Sequence, residues 1–369
     1  MRSADPELSR LVDRVQSARA EHTALDIRGG GTKTFYAEVP RGEPLDMRGL
    51  TGISSYEPTE LVVTARAGTT LAELESVLAG EGQCLAFEPP RCAPGGTVGG
   101  MIAAGLSGPA RASLGAVRDF TLGLTLLTGY AEVLSFGGQV MKNVAGYDVS
   151  RLIAGSWGVL GAICEVSIKV LPVRPATATV AFPLDESTAL EQLLAWGAHP
   201  LPLHASAWFD GRLMVRLAGA RAAVDDARKI LCAAVPGGEV IEADVARDWW
   251  DSLRDQRHQF FRFCAADLAR GESLWRLSVP PNTPSLRLAG RQLIEWGGAL
   301  RWWRSDSPAA LMRATAAGAG GHASLVRAAD KGAGAFAPPS APVMRIHREL
   351  KAAFDPAGVF NPGRLYADL

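Results

Sequence analysis

Between Pro94 and Gly108 the chain reads PGGTVGGMIAAGLSG, with six glycines and no charged side chain. Glycine accepts positive φ and has no Cβ, so such a run lets main-chain N–H groups approach a ligand or a neighbouring segment closely. Thr97 is placed to cap a short helix, VGGMIAAG, whose N-terminus would add partial positive charge to an anion site. The alternative for the same residues is tight packing with no ligand at all.

Two further patches resemble the first in composition. RGGGTK, Arg28 to Lys33, follows the apolar segment 24–27 and reads as a strand leading into a phosphate-gripping turn. From Gly146 to Pro172 the chain runs helix, Gly-Ser-Trp-Gly turn, then strand. Three separate backbone-rich patches imply one large, extended ligand. None fits the dinucleotide fingerprint or the P-loop, because no G-x-G-x-x-G opens a helix and no G-x-x-x-x-G-K-[ST] occurs.

The first half reads as α+β. Leu8, Leu11, Val12 and Val15 recur at i, i+3, i+4 and i+7, which predicts a helix from Pro6 to His22. Residues 53–58 and 61–67 read as strands, and Thr70 with Glu73 is a capping-box pair for the helix after them. In 120–127, Leu122, Leu124 and Leu126 alternate with Thr121, Gly123 and Thr125, which predicts a strand with one buried face paired to AEVLSF across a Thr128-Gly129 turn. Residues 162–170 repeat the alternation.

After 173–176 the rhythm changes to strand, helix, hairpin, helix, strand, with Asp210-Gly211 as the hairpin turn. This pattern predicts an antiparallel sheet with helices on one face. Residues 331–342, made of Gly, Ala, Pro and Ser apart from Lys331 and Phe336, read as a connection before a last helix. The resulting domains are 1–174, 175–340 and a terminal segment 341–369.

Lys+Arg and Asp+Glu both total 38, so no global charge attracts nucleic acid or anionic lipid. No run of eighteen apolar residues occurs and the N-terminus has no hydrophobic signal core, so a cytoplasmic protein is expected. The cysteines at 84, 92, 164, 232 and 264 are too dispersed for a Cys-x-x-Cys cluster site and read as small buried hydrophobes.

The order RGGGTK, then PGGTVGGMIAAGLSGP with SLGAVRD, then GSWGVLGAICEVSIKVLP, with FDPAGVFNPGRLY at the end, resembles the vanillyl-alcohol-oxidase (PCMH-type) family of FAD flavoproteins. MKNVAGYDVSRL and the closing NPGRLY look most like the FAD-binding subunits of three-part glycolate oxidases. The resemblance implies an α+β PCMH-type FAD-binding domain, a second ferredoxin-like α+β cap domain, and a tail that returns to complete the FAD site. By the family pattern Arg28, Gly29, Gly30, Gly31, Thr32 and Lys33 grip the pyrophosphate, while Pro94, Gly95, Gly96, Thr97, Gly99 and Gly100 approach the flavin and diphosphate. Ser113, Gly115 and Asp119 follow the cofactor, Gly158, Gly161 and Ile163 flank the adenine end, and Asn361 with Arg364 closes the flavin end. Some relatives attach the flavin through a histidine where this chain has Thr32, so the linkage is expected to be noncovalent.

The implied activity is oxidation of glycolate to glyoxylate beside a catalytic flavoprotein and an iron–sulfur subunit, with any membrane association coming through those partners. Oxidising a 2-hydroxy acid needs a cation for the carboxylate and a base for the hydroxyl proton. The histidine-rich stretches of the sister catalytic subunits correspond here to GGHASLVRA, with only His322, and ADKGAGAFAPPS, so no metal site is expected. Arg254 and His258, an i,i+4 pair in WWDSLRDQRHQFF, are catalytic candidates together with His322. Their bland readings are a surface arginine and satisfied core histidines, and Trp302 and Trp303 read as packing or interface. Two alternatives stay open: a self-sufficient FAD-dependent dehydrogenase of a small 2-hydroxy acid, and a flavin-bearing subunit with a purely structural role.

Overall fold

The computed structural model describes residues 5–138 and 147–369, so the MKNVAG stretch lies outside the described residues. The chain is α+β and divides into two compact units. Unit 1 comprises Met1–Leu106, Ala116–Pro172 and Pro338–Leu369; unit 2 comprises Ser107–Gly115 and Val173–Ala337. Assignment of the segment Ser107–Gly115 to unit 2 has no signature in the sequence pattern.

Unit 1 starts with the helix Pro6–Glu21. Asp5 caps it by accepting the amides of Glu7 and Leu8, Pro6 sits where a missing N–H costs nothing, and His22 ends it in the left-handed region. The helical spacing buries Leu11, Val15 and Ala18 against Leu25, Leu45, Leu127, Ala162 and Phe360. Burial of each of these larger side chains contributes about 2 kcal/mol. Strand β1, Leu25–Arg28, runs parallel to β2, Glu43–Asp46.

A five-stranded antiparallel sheet follows, built from β3 (Ile53–Glu57), β4 (Val62–Arg66), β6 (Thr121–Leu127), β7 (Val133–Gly137) and β8 (Ala162–Lys169), in the order β3-β4-β8-β6-β7. The two-residue strands β5 (Gln83–Cys84) and β9 (Leu171–Pro172) pair separately. The expected hairpin of β6 and β7 forms, but β6 does not have a single buried face. Its register against β8 slips at Thr121/Gly123 and Thr125/Leu126, so consecutive residues such as Leu126 and Leu127 are both buried. Bulges on an interior strand override simple alternation.

The C-terminal helix Ala341–Phe354 has one buried residue, Lys351. Its Nζ donates to the carboxylate of Asp355 at 2.7 Å and to the carbonyls of Val159 (2.8 Å) and Phe360 (2.7 Å). Asp355 in turn accepts the amides of Val359 and Phe360. Burial pushes the Lys351 ammonium below its ordinary pKa, and the Asp355 carboxylate opposes that. From this anchor the tail runs beside β1, with Leu25 N–H donating to Val359 O (2.7 Å) and Asn361 N–H to Leu25 O (2.9 Å).

Unit 2 holds an eight-stranded antiparallel sheet. Its first half is β10 (Ala176–Pro183), helix Glu186–Gly197, β11 (Leu203–Phe209), β12 (Arg212–Gly219), helix Arg221–Ala234 and β13 (Glu239–Ile241). The order β13-β10-β12-β11 is the ferredoxin-like arrangement. Asp210 and Gly211 both take positive φ, as the two-residue hairpin requires. The second half, β14 (Ser273–Ser278), β15 (Arg291–Glu295), β16 (Leu300–Ser305), helix Ala309–Gly318 and β17 (His322–Arg327), is ordered β15-β16-β14-β17. That is the same topology with an irregular first crossover, and the halves join where β11 pairs with β15.

Helices do not lie on one face only. Val180 and Phe182 pack under helices Glu186–Gly197 and Arg221–Ala234, whereas the alternate residue Thr179 accepts Trp250 Nε1 from helix Ala243–Arg254 on the other side. Among the described residues, no helix is long and apolar enough to cross a membrane.

One buried ion pair and one half-buried imidazole make two parts of the fold testable. Replacing Asp355 with Ala strands the Lys351 ammonium and two amides, and should lower stability to urea by about 3–5 kcal/mol; a loss below about 1 kcal/mol would show that the tail is held elsewhere. In unit 2, burial and the cations Arg216 and Arg174 push His204 down to about 3. The unfolded chain takes up this proton near pH 6.5 and the folded one does not, so stability should fall from about pH 6 downward by about 1 kcal/mol per pH unit. Urea titrations of His204→Leu between about pH 4 and 7 should show that slope reduced.

Candidate functional site

A cavity in unit 1 is lined by β1 and its following turn, the helix Val98–Ala104, residues 157–163 and the tail. Of the residues singled out in the sequence, Arg28, Gly29, Gly30, Gly31, Thr32, Lys33, Thr97, Gly99, Gly100, Gly158, Gly161, Ile163, Asn361 and Arg364 line it. Pro94, Gly95 and Gly96 do not line it. Ser113 and Gly115 belong to unit 2, where the Ser113 hydroxyl donates to His204 O at 2.7 Å. Asp119 accepts the Ala116 amide at 2.8 Å and so begins the short helix Val117–Phe120.

The two glycine runs meet directly. A Cβ on Gly30 would fall 1.7 Å from Gly95 O, and one on Gly29 would fall 2.2 Å from Thr97 Oγ1. Gly31 has φ +65°. Within this turn the N–H groups of Gly29, Gly30, Gly31 and Thr32 donate to no protein acceptor among the described residues. Backbone donors are nearly always paired, so four successive unclaimed donors along a cavity wall suit the oxygens of a polyanion.

The helix N-terminus expected to share this work does not. Val98 N–H donates to Thr69 O, Gly99 N–H to Ala67 O, and Gly100 N–H to the hydroxyl of its own cap, Thr97. Its first-turn donors are therefore spent on the protein. Gly99 is needed because a Cβ there would lie 2.7 Å from the Ala67 Cβ, which lets the helix lie against β4.

The far wall differs from the family-based expectation in one respect. That pattern puts Gly158 and the Asn361–Arg364 pair at opposite ends of the ligand, but they are neighbours: a Cβ on Gly158 would fall 2.6 Å from Asn361 Nδ2. Asn361 is a clasp, accepting Ile27 N–H (2.7 Å) and donating to Trp157 O (2.6 Å). Arg364 stacks over Trp157 at 5.5 Å, and Trp157 is itself stacked on Tyr36. One guanidinium nitrogen of Arg364 donates to Thr34 O, while the buried Nη1 has no partner. Burial holds Arg364 below its ordinary pKa, with Asp26 and Glu38 opposing. A buried, unclaimed guanidinium nitrogen on the wall of a cavity together with the open amide run fits a dinucleotide such as FAD, which presents phosphate and carbonyl oxygens.

Sequence reading missed Asp26, Trp157 and Thr34 among the lining residues. Asp26 is buried and paired to Arg28. Trp157 has φ +53°, unusual for a bulky residue, and that conformation has no sequence signal beyond the flanking glycine.

The three catalytic candidates all lie in unit 2. Arg254 and His258 do not share a helix, because helix Ala243–Arg254 ends at Arg254 and Asp255 caps it. Arg254 is paired to Asp251 and Asp255. His258 accepts Phe260 N–H on Nδ1 and packs against Phe209 and Trp249; burial and Arg262 hold it below its ordinary pKa. His322 opens β17 and keeps an exposed edge.

Three comparisons bear on the site. A family model described as "FAD binding domain" matches residues 7–137. The chain is 44% identical over 359 residues to "Glycolate oxidase subunit GlcE" of Escherichia coli, covering 97% of each chain. It is 32% identical over 164 residues to a D-lactate dehydrogenase of Archaeoglobus fulgidus, covering 42% of this chain and 35% of the other. In fold it is similar to a solved alkyldihydroxyacetonephosphate synthase, with TM-score 0.66 and 16% identity over 95% of this chain and 74% of that one.

Gly30→Ala should force the two glycine runs apart and close the amide wall. The variant should be recovered with less flavin, its FAD affinity lower by roughly 10-fold or more, read from the ratio of flavin to protein absorbance after dialysis. Retention equal to the parent chain would show that the contact of Gly30 with Gly95 has no bearing on the cofactor.

Proposed function

Because this chain belongs to the family of the glycolate oxidase subunit GlcE, a family of FAD-dependent oxidoreductases, we propose that it is the FAD-binding subunit of a complex that oxidises glycolate to glyoxylate. The 44% identity across 97% of both chains is the observation that carries this reading. FAD supplies a two-electron acceptor for the hydride removed from the hydroxy acid. Within the chain, the amides of Gly29 to Thr32 would hold the pyrophosphate and Arg364 would offer its unclaimed Nη1 to an acceptor oxygen, while Asn361 positions the strand and turn that carry those amides.

The flavin is held noncovalently, because Thr32 offers no nucleophilic imidazole. Electrons collected by a flavin held here would have to leave to a partner protein, since no nicotinamide fingerprint occurs and the cysteines are dispersed along the chain. The complex we propose is cytoplasmic and includes a catalytic flavoprotein and an iron–sulfur subunit. A similarity to "Glycolate oxidase subunit GlcD" of Bacillus subtilis, 29% identical over 180 residues, supports a common origin for the two flavoproteins.

Co-expression with the partner subunits followed by affinity capture should yield dye-linked glycolate oxidation only when this chain is present with its FAD. Acid precipitation should leave all flavin in the supernatant. The isolated chain, mixed anaerobically with glycolate or D-lactate, should bleach slowly or not at all; rapid bleaching would replace this reading by the self-sufficient dehydrogenase. Full activity of a complex holding flavin-free protein would replace it by the structural role.

A further inference from the structure

The five-stranded sheet of unit 1 ends in two edge strands, β3 and β7, and they are finished differently. An edge strand carries a row of main-chain donors and acceptors with no strand beside it, and folded proteins blunt such rows with bulges, charges or prolines. β3 has all three: its register against β4 slips between Ile53 and Ser55, it ends on Glu57, and Pro58 follows. β7, with the sequence VLSFG, has none of them. Its register against β6 is unbroken from Leu127 opposite Val133 to Gly123 opposite Gly137.

Which groups of β7 face outward follows from the bonds at its two ends. Thr128 N–H donates to Glu132 O at 2.9 Å and Gly138 N–H to Leu122 O at 3.3 Å, so the residues of even number are the ones bonded to β6. The main-chain N–H and C=O groups of Val133, Ser135 and Gly137 therefore point away from the sheet. They bond to no protein group among the described residues, and all three residues are exposed.

Three outward residues centred on Ser135 form a self-complementary row. A second copy running antiparallel about a two-fold axis at Ser135 puts Ser135 opposite its own mate and Val133 opposite Gly137, so each facing pair can exchange two hydrogen bonds. At the intervening positions Leu134 of each copy meets Phe136 of the other, an aliphatic–aromatic cross-strand pair on either side of the axis. No charge is brought against a like charge, because β7 carries none.

Apolar surface adjoins this edge. Val133 and Leu134 are 38% and 40% exposed, and Phe136 touches Phe354 with 6.3 Å between ring centres. Phe354 ends the helix Ala341–Phe354, which buries only Lys351. Val343, Ile346, Leu350 and Phe354 follow one another along that helix at helical spacing, and Val343 and Ile346 are 42% and 51% exposed. Strand and helix together offer more apolar area than the strand alone, as an interface of about 800 Å² per partner requires. A strand of another protein could meet the same donors; the symmetric row and the match of Leu134 with Phe136 favour a copy.

We propose that β7 is a docking edge at which two copies of this chain join, so that their unit 1 sheets run on as one antiparallel sheet across a two-fold axis at Ser135. The proposal goes beyond the place of the chain in a glycolate-oxidising complex and does not depend on it.

Sedimentation of the FAD-loaded chain between about 1 and about 100 µM should show a monomer–dimer equilibrium. S135P removes the central outward N–H, leaves the bonds to β6 in place and puts proline where an edge strand tolerates it. It should weaken dimerisation by roughly 10- to 100-fold with flavin content unchanged. Under mild oxidation S135C should cross-link to its own copy, since the facing α-carbons of that pair would lie about 5.5 Å apart. V133C, whose copies would lie about 14 Å apart, should cross-link no more than the parent chain, whose own free cysteines set the background. A parent chain that stays monomeric across the range, alone and in the co-expressed complex, would overturn the docking edge, as would a dimer retained by folded S135P. Should S135P fail to fold, S135C decides: cross-linking no greater than that of V133C would sink the proposal. Cross-linking of S135C to another subunit of the complex in place of its own copy would show a foreign strand at the edge and overturn the choice of partner.

Discussion

A buried ion pair, Lys351 with Asp355, sets the course of the chain from Asp355 to its end in unit 1. Three acceptors surround the ammonium and two amides complete the carboxylate. The desolvation cost of such a pair is offset only when its remaining donors and acceptors are satisfied, and here they are satisfied by the chain that must be positioned. The tail then has a single route, alongside β1, which ends with Asn361 clasped to Ile27 and Trp157. Arg364 reaches the cavity wall because of that clasp.

The cavity itself is made by what the glycines omit. Gly30 against Gly95 and Gly29 against Thr97 leave no room for a Cβ, so the turn after β1 is pressed onto the second glycine run, and its amides are left without a protein acceptor among the described residues. Helical amides nearby are all spent within the protein. The division of labour is physical: one glycine run keeps its amides unclaimed, and the other supplies the close surface against which that run is packed.

Unit 2 arranges its charges differently. Its arginines are stacked, as Arg276 and Arg111 are on Trp296, or netted, as Arg304 is by Glu272 and Asp267. The two ferredoxin-like halves bring these groups to a common sheet, although the second half has no helix in its first crossover.

Local physics was legible in the chain. The 3.6-residue spacing of Leu11 and Val15, the helix caps at Thr70 and Thr97 and the Asp210-Gly211 hairpin each depend on neighbours a few residues away and form as read, although Glu73 does not return the second bond of a capping box to Thr70. The order of the glycine motifs was also enough to point to a flavoprotein family. What only the tertiary structure decided depends on partners far apart in sequence. Whether the Val98 to Gly100 amides are free for a ligand was settled by Thr69 and Ala67, and the neighbourhood of Gly158 and Asn361 by a tail that returns from the far end of the chain. Arg254 and His258 were separated by a helix end that no spacing rule announces, and Arg276 acquired its setting from strands β16 and β17. Spacing along a chain reports which groups can share a local face; which donors remain unpaired is decided by every segment that packs against them.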